Sequence, residues 1–183
     1  PISLSLTERI NTDVAIVGAG ITGLTTAWLL AREGKKVCVL EAAEVAGGTS
    51  GKTSAHLNTQ IDFGYAQVLK KFGQEKARKV AASREYAIDF IEKLAGQIPC
   101  DFRRRPGYLY AENPAKAEEL SYEYEASQKA GLPVQWKNQT GLPFDITGAV
   151  EYPAQAHFNP QKYLNGLAEK INSLPDCQVF THS

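Results

Sequence analysis

DVAIVGAGITGLTTAWLLAREGKKVCVLE, residues 13 to 41, changes its hydrophobic period twice within one short span. Val14 to Val17 are a short apolar run, the pattern of a strand buried on both faces. Gly18, Gly20 and Gly23 then give G-x-G-x-x-G. From Ile21 the apolar period becomes helical, with Leu24, Ala27, Trp28 and Ala31 on one face, and Gly34 stops the helix. Val37 to Leu40 form a second strand, with Glu41 at its end. The stretch predicts strand, tight glycine turn, helix, strand.

Each glycine has a physical task. Gly18 permits the sharp turn out of the strand, Gly20 lets a pyrophosphate approach the backbone, and Gly23 lets the helix lie close on the sheet. The helix N-terminus offers unpaired N–H groups and partial positive charge to phosphates. Glu41 lies 23 residues after Gly18, close to the roughly 20 expected of the acid that accepts from a ribose hydroxyl. A carboxylate there repels a 2′-phosphate, which favours FAD or NAD over NADP. With strand, helix, second strand and acid all in place, a purely structural glycine turn is the weaker reading.

Composition bounds the rest. The 183 residues are 43% hydrophobic, enough for a core, and the formal net charge is zero, so nothing points to nucleic acid or an anionic membrane. Cys38, Cys100 and Cys177 are widely spaced and form no C-x-x-C, as expected of reduced thiols in a cytoplasmic protein. No apolar run is long enough to span a membrane, no signal peptide is visible, and no metal site is expected. The chain begins at Pro1, has no Met and ends directly after a strand-like segment; it is expected to be truncated, the N-terminal portion of a longer protein.

Outward from the core stretch, Pro1 to Thr12 reads as a loose polar arm. Glu44 to Thr59, EVAGGTSGKTSAHLNT, has neither helical period nor alternation. Its small, hydroxyl-rich residues suit a backbone laid along an extended cofactor, the alternative being a flexible surface loop. Helices are predicted over Phe63–Phe72, ended by Gly73, and over Gln74–Ala95, with Ala77, Val80, Ala81, Ile88, Ile91 and Leu94 facing a core. Phe102 to Ala111, FRRRPGYLYA, reads as an edge strand because of Pro106. Arg103 and Arg105 share one face and Arg104 the other; a solvated edge is favoured over a substrate-carboxylate site. Asn113-Pro114 opens a helix that Gly131 ends, its Glu-rich face towards solvent. Val134–Trp136 and Gly148–Tyr152 read as short strands. Asn159-Pro160 opens a last helix with Leu164, Leu167, Ala168 and Ile171 inward, and Cys177–Thr181 is the closing strand. The predicted fold is α/β: a Rossmann-like parallel sheet from residues 1–61 and 156–183, with 62–155 inserted as helices and the beginning of a second, substrate domain.

Three stretches, VGAGITGLTTAWLLAREGKKVCVLEA, GGTSGKTSAHLNTQ and AQAHFNPQKYLNGLAEKI followed by VFTHS, with FRRRPGYLYA as a weaker fourth, resemble the flavin-dependent amine and amino-acid oxidases grouped with D-amino-acid oxidase, glycine oxidase and sarcosine oxidase. Within them the chain is most similar to bacterial FAD-dependent oxidoreductases that often carry a C-terminal Rieske iron–sulfur domain. The resemblance implies FAD as cofactor. It puts Gly18, Gly20 and Gly23 at the pyrophosphate, with Val17, Ile21 and Thr22 around them, and Glu41 and Ala42 at the adenosine ribose. Gly48, Thr49 and Ser50 fall at the pyrophosphate end of the loop, and Ala55, His56 and Leu57 near the isoalloxazine, with His56 a non-covalent neighbour. It also implies oxidation of the C–N bond of an amine or amino acid by hydride transfer to flavin, with oxygen, a quinone or a Rieske domain outside this chain as electron acceptor. No catalytic residue is assigned, and the chain alone is expected to be inactive as an oxidase. The alternatives are an NAD-dependent dehydrogenase, which leaves the Gly/Ser/Thr loop unexplained, and a nucleotide-binding module without catalysis.

Overall fold

A computed structural model describes residues 4–183 as two compact units. The first comprises the chain up to Ala55 together with Leu94–Phe102 and Phe158–Ser183; the second comprises His56–Lys93 and Arg103–His157.

In the first unit, β1 (Val14–Val17), β2 (Val37–Leu40) and β7 (Gln178–Phe180) form a parallel sheet in the order β1-β2-β7. Val14 to Val17 lie abreast of Val37 to Leu40, and Cys38 to Leu40 abreast of Gln178 to Phe180. The closing strand thus returns to the first two, as the pattern predicts. β2 is central, and Val37, Cys38 and Val39 are buried. β1 corrects the expectation of burial on both faces: it is an edge strand, its residues alternate in exposure, and Val17 is 87% exposed. Helices α1 (Ile21–Arg32) and α4 (Pro160–Asn172) pack together in this unit. On α4, Leu164, Leu167, Ala168 and Ile171 are fully buried, the stripe read from the period. Its start is fixed locally: Asn159 Oδ1 accepts from the Lys162 N–H at 3.0 Å and Pro160 fills the first helical position. Pro1 to Ser3 of the expected loose arm lie outside the described residues. From Leu4 onward the arm is tied down, because the Leu4 carbonyl accepts from Thr181 N–H and Leu6 N–H donates to Ser183 Oγ, both at 2.8 Å.

In the second unit, β6 (Gly148–His157) is the spine of an antiparallel sheet. It pairs with β3 (His56–Leu57), β4 (Arg103–Ala111) and β5 (Gln135–Lys137). β6 runs five residues past the predicted Gly148–Tyr152, and β3 falls within the stretch predicted as loop; two residues carry no period, and β3 forms where β6 supplies its ladder partners. The register of β4 slips between Arg105 and Gly107, so Pro106 sits at an irregularity on an edge strand, where the missing N–H costs least. Helix α2 (Tyr65–Ala95) is interrupted at Gly73, whose φ of +81° is open to glycine but strained for other residues. Helix α3 (Pro114–Lys129) repeats the Asn-Pro opening, Asn113 Oδ1 accepting from Lys116 N–H at 3.0 Å. Tyr65, Ala77, Ala81, Leu120, Val150 and Tyr152 belong to the core between these elements.

The units divide at 55/56 and 157/158 rather than at 61/62 and 155/156. β3 belongs with β6, and Leu94–Phe102 joins the first unit, where Cys100 O accepts from Asn159 N–H at 2.7 Å. The Glu-rich face of α3 is a second correction. Glu123 is buried, its carboxylate accepting from the N–H groups of Tyr65 at 2.6 Å and Ala66 at 2.9 Å. It satisfies two otherwise orphaned donors at the start of α2 and places negative charge at the positive end of that helix. Glu123→Ala is therefore expected to destabilise the protein by about 2 kcal/mol, the cost of leaving buried donors unmade. Chemical denaturation checks this, and an unchanged midpoint would contradict it.

Candidate functional site

The turn from β1 into α1 is built by exclusion of side chains. A Cβ at Gly23 would overlap the carbonyl oxygen of Gly18, and one at Gly20 would sit 3.1 Å from Ser50 Oγ. Gly18 takes φ +102°, and its N–H donates to Leu40 O at 2.7 Å, so the turn is clamped to the end of β2. Gly20 is the N-cap of α1 and has no side chain with which to cap it. Ile21 N–H donates to Ser50 Oγ at 3.1 Å, while the N–H groups of Gly20, Thr22 and Gly23 have no protein acceptor among the described residues. Three uncapped donors at the positive end of a twelve-residue helix suit an anionic phosphate.

Glu41 closes the other side. Its Oε2 accepts from Ala19 N–H at 2.7 Å and its Oε1 from Ala43 N–H at 2.9 Å. These bonds fix the carboxylate beside the glycine turn, and each oxygen keeps capacity for a further donor. A pair of ribose hydroxyls matches what is left.

The loop after β2 is pinned in place. A single 3₁₀ turn, Thr49–Lys52, carries Ser50 to the start of α1. Ala46 N–H donates to Ala19 O at 3.1 Å, and Gln161 Nε2, near the start of α4, donates to Val45 O at 2.9 Å. A Cβ on Gly51 would overlap Ala46 O, so the loop is closely folded on itself. Ala46 and Ala55 have φ of +60° and +62°, left-handed positions that cost a non-glycine residue stability and are held by their surroundings. Gln161, Val45 and Ala46 escape sequence reading; a glutamine one residue after a helix-opening proline gives no signal that it anchors a distant loop.

Of the expected cofactor residues, Gly18, Gly20, Ile21, Gly23, Glu41 and Ser50 are gathered, half-buried, around the start of α1. Val17, Thr22, Ala42, Gly48 and Thr49 are exposed in the same unit. Ala55 belongs to the first unit, and His56 and Leu57, on β3, to the second. The donor chemistry and the excluded side chains fit the pyrophosphate and ribose of an adenine dinucleotide. The second unit has a cavity of about 320 Å³ lined by Glu85, Asp89, Arg104, Tyr152 and Gln155, among others. Burial, then the neighbouring Asp89, pushes the Glu85 carboxyl above its usual range. Arg104 donates to Asp89 at 2.5 Å, to Glu92 at 2.6 Å and to Ala154 O at 2.7 Å, so it is withdrawn from the arginines that could meet a substrate carboxylate. No group of three or more His, Cys, Asp or Glu among the described residues could hold a metal ion.

Residues 13–183 match the family described as FAD dependent oxidoreductase, DAO. The putative Rieske 2Fe-2S iron-sulfur protein YhfW of Bacillus subtilis is 34% identical over 169 residues, covering 91% of this chain and 33% of that protein. Gamma-glutamylputrescine oxidoreductase of Escherichia coli is 32% identical over 176 residues, covering 91% of this chain and 41% of that enzyme. The crystal structure of glycine oxidase from Geobacillus kaustophilus superposes with a TM-score of 0.70 at 20% identity, over 93% of this chain and 46% of that one, which shows a shared fold. The chain thus spans between a third and a half of the length of these proteins.

Gly23→Ala tests the turn directly. The added methyl group must displace the Gly18 carbonyl, so dinucleotide affinity is expected to fall at least about tenfold, the loss of one charged hydrogen bond. Equilibrium dialysis measures it; unaltered affinity would mean that the close approach of helix and turn has no bearing on binding.

Proposed function

The chain belongs to the DAO family of FAD-dependent oxidoreductases, and on that premise we propose that it is the FAD-binding part of an enzyme oxidising the C–N bond of an amine or amino acid. The observation that carries the proposal is the pairing of uncapped amides at the start of α1 with the oriented Glu41 carboxylate. In this reading the N–H groups of Gly20, Thr22 and Gly23 hold the pyrophosphate and Glu41 accepts from the adenosine ribose. Ser50, fixed by Ile21 N–H, keeps the Gly/Ser/Thr loop against the same helix end. Val17, Gly18, Ile21, Ala42, Gly48 and Thr49 border the dinucleotide, and Ala55, His56 and Leu57 its flavin end. The bound FAD supplies the two-electron acceptor; the chain supplies binding and orientation.

Support for an amine or amino acid comes from the relative named gamma-glutamylputrescine oxidoreductase and the neighbour named glycine oxidase. Among oxygen, a quinone and an iron–sulfur domain, the last has support from the relative named as a putative Rieske protein. A cytoplasmic location is supported by the free thiols of Cys38, Cys100 and Cys177. No helix among the described residues is long and apolar enough to cross a membrane.

Anaerobic addition of a panel of amino acids and N-methyl amines to the FAD-loaded, full-length gene product tests the reaction. Bleaching of the flavin absorbance by at least one class is expected, and a flavin left oxidised by all of them would contradict the proposal. Glu41→Arg removes the ribose acceptor and puts a cation in its place, so FAD affinity is expected to fall about tenfold to a hundredfold. Because Glu41 also holds two backbone donors, Glu41→Gln, which keeps one acceptor oxygen, is expected to fall between wild type and Glu41→Arg. Equal dissociation constants for all three would make Glu41 a structural carboxylate only.

A further inference from the structure

The sheet of the second unit carries a row of cationic and imidazole side chains, of which the proposed dinucleotide site accounts for His56 alone. β3 and β4 flank β6, and the register sets His56 opposite His157 and His157 opposite Arg103. Residues directly opposite share a face of the sheet with their Cβ atoms about 4.5–5.5 Å apart. Two imidazoles and a guanidinium therefore stand abreast on three successive strands. His56 and Arg103 are exposed and His157 is half-buried. None of the three side chains has a hydrogen bond or ion pair among the described residues.

Several cations of the unit have partners. Arg104 is held by Asp89 and Glu92, Lys137 lies 3.7 Å from Glu151, and Lys79 and Lys129 each pair with a glutamate one helical turn away. The chemistry of the row suits an anion: a guanidinium presents a planar fork matched to a carboxylate, and an imidazole N–H beside it adds a donor in either charge state. Two residues along the same face, Arg105 stands opposite Gln155 and extends the positive edge.

We infer that His56, His157 and Arg103 form a carboxylate-binding site, with Arg103 as the principal contact and the histidines as flanking donors. This rests on the proposed reading of the chain as part of an amine- or amino-acid-oxidising enzyme, and deepens it by assigning the carboxylate of an amino-acid substrate to this row. The sequence alone sets Arg103 and Arg105 on one face and Arg104 on the other, and favours a solvated edge; the structure pairs Arg104 with Asp89 and Glu92 and joins Arg103 to two histidines from strands remote in sequence.

The chain has three histidines, His56, His157 and His182, which makes the test direct. Proton spectra of the imidazole Cε1–H signals are recorded on the 183-residue chain while sodium acetate replaces sodium chloride at constant ionic strength. Saturable shifts of the His56 and His157 signals are expected, with His182, in the other unit, unmoved. Arg103→Gln, at an exposed edge position, is expected to weaken acetate binding at least about tenfold while leaving the amide spectrum intact; His157→Gln serves if that variant fails to fold. No saturable shift, equal movement of all three histidines, or binding indifferent to both substitutions would overturn the inference. The titration involves no flavin, so it can fail while flavin bleaching succeeds, or succeed while bleaching fails, and the two readings are judged separately.

Discussion

A backbone carbonyl occupies the space that any side chain at position 23 would need, and the first unit is arranged around that contact. With Gly23 pressed on Gly18 O, α1 starts directly behind the tip of β1. Its uncapped N–H groups are brought beside the ends of the parallel strands, and Ala19 N–H comes within 2.7 Å of the Glu41 carboxylate. The helix is not capped by its own residue either, since Gly20 has no side chain to offer. A helix end left without a cap inside a folded protein is a cost, and an anionic ligand bound at this point would offset it.

The loop after β2 repeats that logic in a different form. Ser50 satisfies one donor of α1, Gln161 holds Val45 O, and two alanines are kept in left-handed conformations. Each hydrogen bond is worth about 1 kcal/mol net, comparable to what one strained residue costs. The loop is thus held by bonds reaching in from two helices rather than by its own preferences.

What could be read from the sequence follows from the range of the interactions involved. The β1–turn–α1–β2 unit, the two Asn-Pro helix openings and the Gly73 break are set by neighbours within a turn or two, and each stands in the chain as written. The stripe Leu164, Leu167, Ala168 and Ile171 was legible because a long amphipathic helix repeats its signal. β3 was not, since its two residues become a strand only through partners about a hundred positions away. Glu123 looked like one more surface glutamate on a polar face; only the arrival of the start of α2 makes it a buried cap. Val17 erred the other way, since an apolar run does not say which face a sheet leaves uncovered. Within the candidate site, the glycines and Glu41 announced themselves by spacing, whereas Gln161 and the histidine–arginine row depend on register and packing that no local pattern encodes.

The central claim is that this chain recognises the adenosine and pyrophosphate half of a dinucleotide, and cofactor selectivity tests it most directly. The chain is titrated separately with FAD and FMN, with flavin fluorescence as the readout. FMN carries the same isoalloxazine but lacks the adenosine ribose that Glu41 would meet and the second phosphate. Losing two charged hydrogen bonds predicts binding at least about a hundredfold weaker than that of FAD. FMN binding as tightly as FAD, or neither flavin binding at all, would contradict the account.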